Sequence, residues 1–169
     1  MNIQRELAKK SVKSKASMAS QKKVLLDFKD ESQFVYGLYR LKANVIAIFS
    51  KDEIINTCNH DCYIALDRTC FYAESGGQVS DTGMIVGKDF KARVLDVFKA
   101  PNGQNIHKVK LLDGVISIGE ACEVVLDKDR RKKIEANHSS IHILQYSLQQ
   151  VVSGNIKQAG SYVDDEKLR

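Results

Sequence analysis

The residues best suited to chemistry in this 169-residue chain are two imidazoles four positions apart, His138 and His142. Residues at i and i+4 are neighbours on one helix face, so both rings can reach a single metal ion from a rigid backbone. Neutral imidazole suits zinc, and a helical histidine pair is a recurrent way of holding it. Zinc wants three or four protein ligands, so the pair is only part of a cage, and the same spacing also serves two ordinary surface histidines. The remaining donors are Cys58, His60, Cys62, Cys70, His107 and Cys122. His107 and Cys122 fall into alternating strand patterns and read as inward-facing. Cys58-Asn-His-Asp-Cys62 gathers three soft donors but lacks the two-residue cysteine spacing and the remote second pair of structural zinc sites. A turn entering the next strand accounts for it better.

A second feature is the loop Phe71-Tyr-Ala-Glu-Ser-Gly-Gly-Gln-Val-Ser-Asp-Thr-Gly83. Adjacent glycines, Gly76 and Gly77, let main-chain N–H groups face a closely approaching ligand, although a tight turn needs the same residues. It is no phosphate loop, because no Lys-Ser/Thr follows and no helix begins there. Neither a Gly-x-Ser-x-Gly elbow nor a Ser/His/Asp set is present.

The elements that must position these residues change character at Asp127. Before it, Asn44–Ser50, Cys62–Leu66, Met84–Val86, Phe90–Phe98, residues 107–111 and residues 121–126 are short apolar or alternating runs. Turn signals such as Pro101-Asn-Gly103 punctuate them, which predicts a small closed or partly closed β-barrel. From Asp127, Ile134, Ile141, Leu144, Leu148, Val151 and Val152 recur at three and four, predicting an amphipathic helix that ends near Ser153-Gly154. At about 100° per residue, His138 and His142 lie roughly 40° apart on the shoulder of that apolar face. Asn155–Val163 reads as the entry to a strand for which no partner follows before Arg169.

The net charge of +5 is uneven. Residues 1–23 carry seven Lys/Arg against one acid, leaving nineteen basic and twenty acidic residues, −1, for the rest. A basic helix or linker is thus joined to a near-neutral globule; it can contact a phosphate backbone or simply stay solvated. Four cysteines without a secretory signal fit a reducing cytoplasm, and no apolar run is long enough to span a membrane.

Taken together, Asp67-Arg-Thr-Cys-Phe-Tyr-Ala-Glu-Ser-Gly-Gly-Gln-Val-Ser-Asp-Thr-Gly83 closely resembles the glycine-rich signature of alanyl-tRNA synthetases. Asp129-Arg-Arg-Lys-Lys-Ile-Glu-Ala-Asn-His-Ser-Ser-Ile-His142 resembles the opening of their editing domain, and Gln158-Ala-Gly-Ser-Tyr-Val163 the segment after it. Met1–Ser11 resembles the helix leaving their tRNA-recognition region. Departures are modest: Cys70 stands where the family commonly has Pro, and Ser139 and Ser140 stand where at least one Thr is usual.

The resemblance implies an α+β internal fragment. Residues 1–23 would end the tRNA-recognition region, and 24–126 would form a translation-protein-like barrel carrying the glycine loop. Residues 127–169 would open a truncated α/β editing domain. It implies zinc held by His138 and His142, with a missing Cys and His beyond Arg169. Gln158, Ser139 and Ser140 would be catalytic or pocket-lining, Gly76, Gly77 and Gln78 would close the substrate pocket, and Arg130, Arg131 and Lys132 would lie near RNA. The whole enzyme would attach alanine to its tRNA with ATP and magnesium, and hydrolyse mischarged seryl- and glycyl-tRNA. This piece by itself would show little or no activity. A free-standing trans-editing hydrolase and a non-catalytic RNA-binding barrel are the competing readings.

Overall fold

The computed structural model describes Phe28 and residues 32–50, 53–155 and 160–169. The basic segment 1–23 and Gln158 lie outside the described residues.

Six antiparallel strands close into a barrel. They are β2 (Arg40–Ser50), β5 (Cys62–Leu66), β7 (Gly83–Gly87), β8 (Phe90–Lys99), β9 (Asn105–Gly114) and β11 (Ala121–Leu126). The wall runs β11-β7-β8-β9-β5-β2, and β11 pairs with β2 to shut it. Closure matters because each interior strand then has two partners and no long edge is left unpaired. Short pieces fringe the wall: β1 (Gln33–Phe34) beside β6 (Arg68–Thr69), β3 (Glu53–Ile54) beside β2, and β4 (Thr57–Cys58) beside β10 (Ile116–Ser117).

Period-two patterning fills the interior. On β8, Phe90, Ala92 and Val94 are buried while Lys91, Arg93 and Leu95 face out. A register shift between Val94 and Asp96 then turns the alternation over, so that Val97 faces in. Val45, Ile48, Ile64, Leu66, Ile85, Val109 and Val124 complete the central core. A second cluster (Phe28, Ala47, Phe49, Ala65, Ala100, Ile106) covers the other side of β2 and β5. That double burial explains why Asn44–Ser50 reads as a nearly continuous apolar run rather than an alternating one.

Cys122 and His107 point inward as expected from their strands, and both are buried. His107 is held as a neutral ring: its Nδ1 faces the Ile64 carbonyl at 3.2 Å and its Nε2 the Thr69 hydroxyl at 2.9 Å. A carbonyl can only accept, so Nδ1 carries the proton and Nε2 takes the Thr69 O–H. Burial pushes its pKa down to about 4, against a smaller opposing pull from the Ile64 carbonyl.

One long helix, α1 (Lys128–Val151), follows the barrel. Asp127 caps it, accepting from the Arg130 amide at 3.1 Å, and Asp129 lies in the first turn, where a negative charge suits the helix dipole. The predicted apolar stripe is only partly covered. Ile134 is fully buried, but Leu144, Leu148, Val151 and Val152 are exposed. No helix among the described residues is long and apolar enough to cross a membrane.

The expectation that the last segment lacks a partner is corrected. The Val163 amide donates to the Gly77 carbonyl at 2.8 Å, and the Val79 amide to the Val163 carbonyl at 3.0 Å. Tyr162 and Arg169 exchange two 2.8 Å backbone bonds, and the Asp164 carboxylate accepts from the Glu166 and Lys167 amides. The partner is the glycine loop, more than eighty residues back in sequence, together with the segment's own tail.

Candidate functional site

The glycine loop is a two-residue hairpin turn. Ser75 and Gln78 form a small antiparallel bridge, with Gly76 (φ 60°) and Gly77 (φ 84°) at its tip. Positive φ at both central positions defines a type I′ turn and favours glycine. Gly77 carries a second requirement, since a Cβ there would lie 2.4 Å from both the carbonyl oxygen and the Oγ of Ser161. The Ser161 hydroxyl donates to the Gly76 carbonyl at 3.0 Å. So the close approach that the glycines permit is made by the chain's own C-terminal segment.

Beyond the turn, Gln78 reaches the helix. Its Oε1 lies 2.7 Å from His138 Nδ1, and Gln78 is only 8% exposed. His138 is half-buried and His142 exposed, and their ring centroids are 5.2 Å apart. Two imidazoles sharing one tetrahedral zinc, with nitrogens about 2.0–2.1 Å from it, would place their centroids roughly 5 Å apart. The pair therefore fits two positions of a zinc site. No group of three or more His, Cys, Asp or Glu side chains suited to a metal occurs among the described residues.

The Cys58–Cys62 stretch is the turn predicted for it. Cys58 donates to the His60 carbonyl at 3.2 Å, and all four cysteines are free and buried. Burial raises the Cys70 thiol to about 11 and the Cys122 thiol to about 12, and it also pushes Cys62 up, so these sulfurs sit as protonated packing groups.

The other predicted residues separate. Ser139 and Ser140 are exposed and donate back to the carbonyls of Glu135 (3.0 Å) and Ala136 (2.8 Å). The helical repeat puts Ser139 about 60° from His142 but Ser140 about 160° from it. Ser140 therefore lies across the helix from the histidine edge, and its expected place in the same pocket is corrected. Lys132 is exposed.

Arg131 does not face outward as an RNA contact, which is a second correction. Its side chain is 6% exposed and forms a two-pronged pair with Asp81, Nε to Oδ1 at 2.8 Å and Nη2 to Oδ2. Nη2 also reaches the Cys70 carbonyl at 3.2 Å. Burial works against its charge, but the hydrogen bond and charge of Asp81 outweigh this and hold its pKa above the ordinary value. Arg130 is half-buried and donates to the Ser80 carbonyl (2.8 Å) and to Asp165 (3.1 Å). Asn137 donates to the Asp164 carbonyl at 2.8 Å.

Asp81, Ser161, Asp165 and Asn137 are thus positioning groups that sequence patterning missed. One signal was available for Arg131: it lies seven residues before His138, about 20° away on the helix, on the barrel-facing side. A cleft of about 330 Å³ is lined by Glu74, Val79, Ser80, Leu95, Asp96, Lys108 and Arg130, and by neither histidine.

A barrel, a type I′ glycine loop and a paired-histidine helix tied together by a buried ion pair are now in place, and residues 1–130 match the tRNA synthetases class II (A) family. The chain belongs to that family. Its whole length aligns with alanine–tRNA ligases, at 39% identity to that of Bacillus cytotoxicus and 38% to those of Bacillus cereus and Staphylococcus epidermidis. The chain spans about 20% of the length of these relatives. The resemblance to alanyl-tRNA synthetases is borne out.

Proposed function

We propose that this chain contributes one wall of a zinc-dependent site that clears wrongly charged tRNA within an alanine–tRNA ligase. The supporting observation is the 2.7 Å contact between Gln78 of the glycine loop and His138 of the helix, which brings two sequence-distant motifs into one place. On this reading the whole protein attaches alanine to its tRNA with ATP and magnesium in the cytoplasm. Hydrolysis of seryl- and glycyl-tRNA answers a physical need: a pocket shaped for alanine cannot reject glycine strongly, and an added hydroxyl is a weak handle.

His138 and His142 would hold zinc, whose role when bound is to activate water or polarise the ester carbonyl. Gln78 orients the first imidazole. Gly76 and Gly77 keep Ser161 and Val163 against the loop, and Gln158 would line the pocket. Ser139, on the helix edge beside His142, keeps hydroxyl lone pairs free to accept from the substrate. Lys128, Lys132 and Lys133, exposed near the helix start, supply positive charge for tRNA phosphates.

The test uses the intact ligase with His138→Ala and His142→Ala introduced singly. Deacylation of seryl-tRNA should fall sharply while alanylation is retained; unchanged deacylation overturns the proposal. In the 169-residue chain, two imidazoles should bind zinc weakly and give little turnover. Tight binding with turnover, read by calorimetry and deacylation, would show that the ligand set assigned here is wrong.

A further inference from the structure

We infer that Gln78 is a positioning residue that selects the tautomer of His138. This rests on the zinc assignment for its purpose, but not for its observation. The Gln78 amide oxygen, 2.7 Å from His138 Nδ1, can only accept, so a bond there requires the proton on Nδ1. A neutral imidazole then has its lone pair on Nε2, the nitrogen left for a metal. Histidine side chains in water favour the opposite form, with the proton on Nε2 and that position blocked. Hydrogen bonding at one ring nitrogen is the general means by which proteins set which nitrogen ligates.

The glutamine is well placed to impose this choice. Its amide and carbonyl both bond to Ser75, at 3.0 and 3.2 Å, across the type I′ turn. The next amide, Val79, bonds to Val163, so the residue is braced from two sides before its side chain leaves the loop. It is nearly buried, which keeps water from competing for the His138 proton. The Arg131–Asp81 pair clamps the same loop to the same helix, seven residues before His138, and sets the distance across which the amide reaches.

The experiment is long-range ¹⁵N–¹H correlation on the metal-free full chain, paired with zinc titration by calorimetry. The wild-type protein should show a protonated Nδ1 and a bare Nε2 at His138. Gln78→Glu preserves an acceptor, so it should keep that pattern and bind zinc at least as well. Gln78→Met removes the acceptor at similar length. It should move His138 toward the Nε2-protonated form and weaken zinc binding by roughly 10–100-fold. A wild-type His138 protonated on Nε2 overturns the inference whether or not any variant folds. Identical tautomers in wild type and Gln78→Met, or measurable zinc binding of equal affinity in the two, also overturn it. If the tautomers respond as expected but no protein takes zinc, the metal assignment falls while the role of Gln78 stands.

Discussion

Removing Asp81 should be among the most costly single changes in this protein. Asp81 is 1% exposed and accepts from Arg131 at both carboxylate oxygens, and also from the Tyr72 amide at 2.6 Å. In Asp81→Ala the guanidinium stays buried with only the Cys70 carbonyl and a 3.5 Å contact to Glu135. Breaking a buried pair from one side costs about 3–5 kcal/mol, because the orphaned charge cannot be rehydrated. Arg131→Met should cost less, since Asp81 keeps its bond from Tyr72. The double variant should recover about 2 kcal/mol or more of the summed single losses. The chain has no tryptophan, so urea unfolding is followed by far-UV circular dichroism. At a slope of about 2 kcal/mol/M, the Asp81→Ala midpoint should drop by roughly 2 M. Single losses that add to within about 0.5 kcal/mol would show that the two side chains do not act as a pair, and the clamp would have to be abandoned.

His107 predicts an acid-sensitive barrel. Its folded pKa of about 4 lies below the ordinary value of 6.5, so stability is full above about pH 6.5 and is lost as pH falls toward 4. The loss should approach about 3 kcal/mol, and His107→Gln should flatten that part of the stability profile. Gly77→Ala should cost about 1–2 kcal/mol for the backbone conformation alone, with a further loss from the Ser161 clash. Faster hydrogen exchange at the Val163 amide would register it, and unchanged exchange would refute the packing described. Ile134→Ala should cost about 2–4 kcal/mol by opening a cavity under the helix, whereas Leu148→Ala, on the exposed stripe, should cost little in thermal unfolding.

The strands were legible as short apolar or alternating runs bounded by turns. Cys62–Leu66 appears with its predicted bounds, and Pro101-Asn-Gly103 turns β8 into β9. Asp127 was readable as a helix start because its capping bond is local, three residues long. Contacts that depend on tertiary placement were not. A buried Arg131 looks like any other cation in a Lys/Arg-rich run, and nothing in its neighbours names Asp81, fifty residues away. The partner of Val163 was hidden for the same reason. Ser140 is different: the helical period alone places it away from His138, so that error came from weighing the residue type over its angle.

Gln78 and His138 lie sixty residues apart, on opposite ends of the chain path that builds β7, β8, β9 and β11. Helical turns such as the one bearing the imidazole form locally on the microsecond scale, but non-local strand pairing is slower. On a helix formed ahead of the barrel, the ring would have no amide acceptor and would sample both proton positions. It settles only when the last staves join and the hairpin tip arrives beside it. The proton position on one histidine thus serves as a reporter of when the cylinder has shut.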